Sequence, residues 1–164
     1  MSGFLLDTDI LSIFAKVNAL ALLRELLGCD RLPITTGVFN EIVVPLEYGY
    51  DFPRRILAAV DTVLMSADEA ASFEALRLEG KVSAADAEIV AICQHRGWFY
   101  ITMDRVAARY AEKQGVRAVD LCALLKAVLS GGLLTEDQLR ALIEQMERAD
   151  HTIFPFRDEL FGHT

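Results

Sequence analysis

The sequence has 164 residues, 53% of them hydrophobic, and a formal net charge of −8. This length allows one domain with a substantial core but not two, so we expect a single domain over residues 1–164. The acidic balance argues against a protein that coats nucleic acid by bulk electrostatic attraction, although it allows a local basic track. Every apolar run ends before the roughly 20 residues that a membrane span needs. The N-terminus also does not start like a secretory signal, so we expect a cytoplasmic protein with no membrane contact.

The three cysteines do not form a recognisable metal or disulfide pattern. They are Cys29, Cys93 and Cys122, which are odd in number and far apart. We expect reduced thiols that serve only packing.

Short apolar runs alternate with amphipathic segments along the whole chain. The predicted strands are 4–6, 32–35, 62–65, 98–102 and 116–119. The predicted helices, caps included, are 9–14, 18–27, 37–48, 54–60, 66–80, 83–97, 105–114, 120–130 and one that begins at Thr135. Helices alternating with strands predict an α/β fold, in which a central, mainly parallel five-stranded sheet lies between two layers of helices.

Four carboxylates follow a predicted strand or begin a helix. They are Asp7, Glu41, Asp86 and Asp104. Right-handed crossovers bring such junctions to one edge of a parallel sheet, so we expect the four acids to converge there. Each also has a simpler explanation, because Asp104 and Asp9 suit helix N-caps, Asp86 suits the third position after a cap, and Glu41 suits a first turn.

Convergent carboxylates need compensation. At a separation of about 4 Å an ionised pair repels by roughly 4 kcal/mol at an effective dielectric constant near 20. A hard divalent cation with oxygen ligands, Mg²⁺ or Mn²⁺, relieves that repulsion, and the scattered histidines and cysteines offer no competing site. Such a site activates water and stabilises charge on phosphorus, which is the chemistry of phosphodiester hydrolysis.

The ordered segments 6–11, 35–42, 83–89 and 101–104 resemble the motifs of PIN-domain nucleases. The resemblance covers nearly the whole chain. It implies that Asp7, Glu41, Asp86 and Asp104 bind Mg²⁺ or Mn²⁺ and cleave single-stranded RNA. It also implies that Thr102 steadies the first aspartate and that Thr8 supports the site.

Many members that this chain resembles are VapC-type toxins, which act with a cognate antitoxin and commonly form homodimers. The resemblance therefore implies single-stranded RNA as a substrate, an antitoxin as a candidate partner and a homodimer. The later part departs from the compact toxin pattern at 123–127, at 131–134 and in the tail 153–160, and looks more like a less characterised PIN subgroup.

Two surface features have less specific patterns. Arg105, Arg109 and Lys113 recur every four residues on the helix beside Asp104, which suits either an RNA-backbone track or a solvated face paired with Glu112 and other neighbours. Residues 133–164 are expected to form a helix and an apolar tail whose phenylalanines pack on the domain or on a second subunit. These are Phe154, Phe156 and Phe161.

Two other functions remain open from the sequence. Asp7-Thr8-Asp9 also resembles the nucleophile motif of haloacid-dehalogenase-like phosphatases, with Asp7 as the nucleophile. That family expects paired acids after the fourth strand, whereas Asp104 is followed by Arg105. A non-catalytic PIN scaffold is the other alternative, and the presence of all four acids argues against it.

Overall fold

The computed structural model describes residues 3–162, which form five short parallel strands and ten helices. In chain order these are β1 (Phe4–Leu6), α1 (Thr8–Lys16), α2 (Leu20–Leu27), β2 (Leu32–Ile34), α3 (Thr36–Glu47), α4 (Phe52–Leu57), β3 (Val60–Thr62), α5 (Ala67–Glu79), α6 (Ala84–Arg96), β4 (Phe99–Ile101), α7 (Arg105–Lys113), β5 (Ala118–Val119), α8 (Leu121–Ser130), α9 (Glu136–Asp150) and α10 (Arg157–Phe161). The predicted α/β class with parallel strands is confirmed.

The strands form two hydrogen-bonded ladders. One has the order β1-β4-β5 and the other pairs β2 with β3, all in parallel. β1 also lies beside β2, but no ladder joins them. The expected single five-stranded sheet is therefore wrong in this respect. A sheet of all five strands would need backbone hydrogen bonds between β1 and β2, and none joins them in the described residues.

The first ladder lies at the centre of the core. Leu5 and Leu6 are both fully buried. Successive strand residues point to opposite faces, so both faces of β1 are covered. Helix α6 packs against β1 and β4 and buries its whole central segment from Ala87 to Cys93. All three cysteines are free thiols, as expected.

Side-chain caps fix most of the helix starts. Ser66 and Thr135 form complete capping boxes, and Ser83 and Asp120 accept from the third helical N–H, as predicted. The prediction for Asn18 is wrong, because α2 begins after Ala19 without a side-chain cap. Asn18 adopts the left-handed conformation with φ 56, which asparagine tolerates. Its Oδ1 accepts a hydrogen bond from Arg55 at 2.5 Å.

The third strand differs from its predicted position. It covers Val60–Thr62 rather than 62–65, and the preceding helix ends at Leu57 rather than at 60. Pairing with β2 sets this register, with Leu32 opposite Val60. Leu64 then lies outside the sheet and is 74% exposed. The fifth strand is also shorter than predicted, because only Ala118–Val119 pair with β4.

The C-terminal tail returns to the domain surface. Phe154 is buried, and its ring stacks on Phe156 with 5.1 Å between centroids. Glu147 of α9 anchors this turn by accepting from the Phe154 N–H at 2.7 Å and from the Arg157 guanidinium. Helix α10, which the sequence did not indicate, then packs on α8.

The single tryptophan lies at the start of β4. A Cβ added to Gly3 would overlap its indole, so the chain approaches the ring closely there. The Arg96 guanidinium lies 4.9 Å from the Trp98 ring centroid. It also donates two hydrogen bonds to the carboxylate of Glu69, with which it forms an ion pair. None of the helices in residues 3–162 is long and apolar enough to cross a bilayer.

Candidate metal centre

Asp7 lies where β1 ends and α1 begins. Its Oδ1 accepts from the N–H of Ile10 at 2.8 Å, which makes it the N-cap of α1. Its Oδ2 accepts from the Thr102 hydroxyl at 2.5 Å and from the Met103 N–H at 3.1 Å. The side chain is only 7% exposed, and burial raises its pKa to about 6 despite these three hydrogen bonds. Among residues 3–162, no cationic side chain hydrogen-bonds to this carboxylate.

Glu41 reaches the same edge of the sheet from α3. Thr35 caps that helix through its side chain, which accepts from the Val38 N–H. One turn further on, Glu41 Oε2 accepts a hydrogen bond from the hydroxyl of Thr8, the residue after Asp7. Thr8, which follows the buried Asp7, therefore orients the exposed carboxylate of Glu41.

Asp86 enters from the first turn of α6. Ser83 caps that helix, accepts from the Asp86 N–H at 3.1 Å and donates to Asp86 Oδ2 at 2.9 Å. The other oxygen, Oδ1, accepts from the phenol of Tyr100 at 2.5 Å. Burial, reinforced by the Asp86 charge, raises the pKa of Tyr100, so the phenol remains a donor.

Asp104 follows β4 and caps α7. Its Oδ1 accepts from the N–H groups of Val106 and Ala107 at 2.8 and 3.1 Å. Its own N–H donates to the Thr102 hydroxyl oxygen at 3.0 Å. Thr102 therefore joins Asp104 to Asp7 through one hydroxyl group.

These contacts link the four acids in pairs through shared partners. Asp7 is joined to Asp104 through Thr102, Glu41 is joined to the residue after Asp7, and Asp7 and Asp86 both act on Tyr100. In the part of the chain that the structure describes, no three carboxylate, imidazole or thiolate groups are packed as a ready-made metal cluster. The simpler roles are also present, because Asp104 is a helix cap and Asp86 is held by its own cap residue.

Three further residues belong to this edge and were not among the predicted site residues. Tyr100 orients Asp86, and its signal in the sequence is hidden within an aromatic strand. Glu88, 8% exposed, accepts from the Gly37 N–H at 2.9 Å and so joins the helix of Asp86 to the start of the helix of Glu41. Asp9 does not cap α1. Burial and then the charges of Asp150 and Asp104 raise its pKa.

The donor set suits a hard divalent cation. All four predicted ligands offer carboxylate oxygens, which are the ligands that Mg²⁺ and Mn²⁺ prefer. Burial raises the pKa of Asp7, and no cationic side chain among residues 3–162 hydrogen-bonds to its carboxylate. A divalent cation held by these carboxylates would supply the positive charge that the protein does not.

The basic residues on α7 lie next to this edge. Arg105, Arg109 and Lys113 are all exposed, and none forms an ion pair with another residue in 3–162. No ion pair joins them to Glu112, whose Oε1 accepts from the Ala118 N–H at 2.8 Å.

Parallel strands with acids beyond their carboxyl ends define an α/β domain with a candidate divalent-metal centre. A family model described as PIN domain matches residues 4–155, and the chain therefore belongs to the PIN-domain family. PIN domains are generally nucleases, and PIN nucleases generally use divalent metals. No curated protein matches the sequence.

Two solved structures are similar to this chain. PAE2754 from Pyrobaculum aerophilum is 15% identical, with a TM-score of 0.50 over 77% of this chain and 96% of its own. VapBC-1 from nontypeable Haemophilus influenzae is 16% identical, with a TM-score of 0.49 over 71% and 96%. The likeness to the first shows a shared fold.

Proposed function

We propose that this PIN-domain protein is a divalent-metal-dependent endoribonuclease that hydrolyses phosphodiester bonds in single-stranded RNA. The observation that carries the proposal is Asp7, a buried carboxylate that follows β1 and lacks a cationic partner among residues 3–162. A structural acid in that position normally has a basic partner. An acid kept without one suits a cation that arrives from solution.

The proposed ligands are Asp7, Glu41, Asp86 and Asp104, which would hold Mg²⁺ or Mn²⁺. When bound, such a cation lowers the pKa of a water molecule and stabilises negative charge on a phosphate. The chain's own contribution is orientation. Thr102 and two backbone N–H groups fix both oxygens of Asp7, and Tyr100 and Ser83 fix both oxygens of Asp86.

The proposed route for the RNA backbone is the exposed face of α7. Arg105 directly follows Asp104, and Arg109 and Lys113 continue along the same helix. Their charges are not neutralised by ion pairs within the described residues, so they remain available to phosphates. This local track explains how a chain with a net charge of −8 can bind a polyanion.

A cognate antitoxin and a homodimer belong to the same proposal, on the strength of the toxin-like sequence motifs. Size-exclusion chromatography with light scattering measures the oligomeric state directly. Co-expression with the product of a neighbouring gene, followed by the RNA assay, measures inhibition. A monomer with uninhibited activity would contradict this part of the proposal.

The two alternative functions are less well supported. A haloacid-dehalogenase-like phosphatase would need paired acids after the fourth strand, and the membership of the PIN family favours nuclease chemistry. A scaffold without catalysis would not need a buried, under-compensated aspartate. A metal titration that shows no binding would favour the scaffold.

The test is RNA cleavage with matched variants. The purified full chain is incubated with mixed single-stranded RNA in Mn²⁺ or in EDTA, beside Asp7→Asn and the exposed control Asp30→Asn. We expect Mn²⁺-dependent cleavage by the wild type and Asp30→Asn and none by Asp7→Asn. Calorimetric titration with Mn²⁺ gives a second readout, in which Asp7→Asn binds more weakly. Cleavage that persists in EDTA, or in Asp7→Asn, would refute the proposal.

A further inference from the structure

A small cavity opens between the start of α7 and the C-terminal tail. Its volume is about 180 Å³. Its lining includes Met103, Arg105, Asp120, Phe154 and Phe156. Two of these residues flank Asp104 in sequence, and the backbone of Met103 also donates to Asp7. Through Met103 and Arg105 the cavity borders the chain segment that contains Asp104.

The lining combines an aromatic surface with a few polar groups. Phe154 and Phe156 form a stacked pair with an interplanar angle of 12°. Asp120 Oδ1 is used to cap α8, at 2.9 Å from the Ala123 nitrogen, and its second oxygen has no hydrogen-bond donor among residues 3–162. Arg105 adds exposed guanidinium donors. Sites for small organic groups have this character, with apolar walls and few, placed polar atoms.

We propose that this cavity binds one unpaired nucleobase of the RNA, an inference that rests on the proposed ribonuclease function. A carboxylate in the lining disfavours a phosphate group, whereas it accepts hydrogen bonds from a base edge. Arg105 donates to base acceptors, and an aromatic ring provides a face on which a base stacks. The volume is below the 300–1,000 Å³ range of drug-sized ligand pockets, in keeping with a single base.

The neighbouring surface gives the RNA a path to this cavity. Asp120 also lines an adjacent groove of about 450 Å³, together with Arg109 and Lys113. A strand whose phosphates follow these basic residues would pass the cavity before it reaches Asp104. The tail, which departs from the compact toxin pattern, thereby acquires a role as a specificity element.

The test compares binding of base-bearing and abasic RNA to wild type, Phe156→Leu and Phe161→Leu. Phe161 is a matched control because it is a half-buried phenylalanine of the same tail that does not line the cavity and contacts Arg140 instead. Affinities of the full chain in EDTA are measured by fluorescence polarisation, with an oligoribonucleotide and an abasic ribose-phosphate oligomer of equal length. Circular-dichroism melts establish that both variants are folded.

We expect Phe156→Leu to weaken binding of the base-bearing RNA about fivefold or more, since a stacked base contributes at least this much. Binding of the abasic oligomer and the salt dependence of affinity should not change, and Phe161→Leu should bind both as the wild type does. An equal loss on both oligomers, or no loss on either, overturns the inference. If the inference is overturned but the wild type cleaves RNA in Mn²⁺, the proposed ribonuclease function still holds. If the wild type neither binds nor cleaves RNA, the proposed ribonuclease function is itself refuted.

Discussion

Ionisation of Asp7 should destabilise the protein, and Asp7→Asn should reveal by how much. Burial raises the pKa of this carboxyl from 3.8 to about 6. Between these values the folded protein keeps a proton that the unfolded chain has released. The free energy of unfolding therefore falls by about 1.4 kcal/mol per pH unit as the pH rises. Stabilisation by the protonated form is complete below 3.8 and lost above about 6, a total of about 3 kcal/mol.

Asparagine has no charge to bury, so the stability of Asp7→Asn relative to the wild type should increase as the pH rises. The difference in unfolding free energy, variant minus wild type, should increase by about 3 kcal/mol between about pH 4 and about pH 7. Asparagine also loses a hydrogen bond from the Met103 N–H, which adds a constant cost of about 1–3 kcal/mol. The increase of this difference with pH does not depend on that constant cost.

The assay is urea unfolding at several pH values without divalent ions, followed by Trp98 fluorescence. Asp30→Asn, an exposed acid, is the control and should change stability by less than about 0.5 kcal/mol at every pH. Adding Mn²⁺ at neutral pH should stabilise the wild type far more than Asp7→Asn, because a ligand that binds only the folded state stabilises it. A difference between variant and wild type that is flat with pH would refute the reasoning.

Three other substitutions test the contacts around the site. Tyr100→Phe removes the hydroxyl that donates to Asp86 and should lower the unfolding free energy by about 1–3 kcal/mol in urea titrations. It should also lower the affinity for Mn²⁺, and unchanged Mn²⁺ binding would argue against a role of Tyr100 in orienting Asp86. Gly37→Ala places a Cβ at 3.2 Å from the Ala85 Cα, so it should cost about 1–3 kcal/mol in the same titration, and a neutral effect would mean that the two helices yield. Glu147→Ala removes the anchor of the tail and should speed tryptic cleavage of the tail, whereas an unchanged digestion rate would show that the phenylalanines alone hold it.

The sequence was sufficient where local chemistry determines structure. Ser66 and Thr135 were predicted as helix caps because the capping motif consists of two residues three apart, whatever surrounds them. The side chain of Asn18 can also cap a helix, but its Oδ1 accepts a hydrogen bond from Arg55, which is distant in sequence. The third strand was misplaced because its register depends on β2, nearly 30 residues earlier, and a short apolar run does not specify which of its residues pair.

The four acids were proposed as a set from their positions near element boundaries, whereas the residues that support them were not predicted. Asp7 and Asp104 are helix N-caps and Asp86 lies in the first turn of α6, whereas Glu41 lies in the second turn of α3 rather than in the first. Tyr100 resembles any core aromatic residue until β4 is paired, when its hydroxyl meets Asp86. Glu88 is similar, because a buried glutamate on an apolar helix is identified as a link only through its contact with another helix.

Trp98, which lies beside Gly3 and Arg96, can serve as an intrinsic fluorescence probe. Trp98 precedes β4 and Asp104 follows it, so the length of that strand separates the chromophore from Asp104. Emission changes should therefore report loss of the core rather than occupancy of the opposite edge, and titrations with metal or RNA need an extrinsic label.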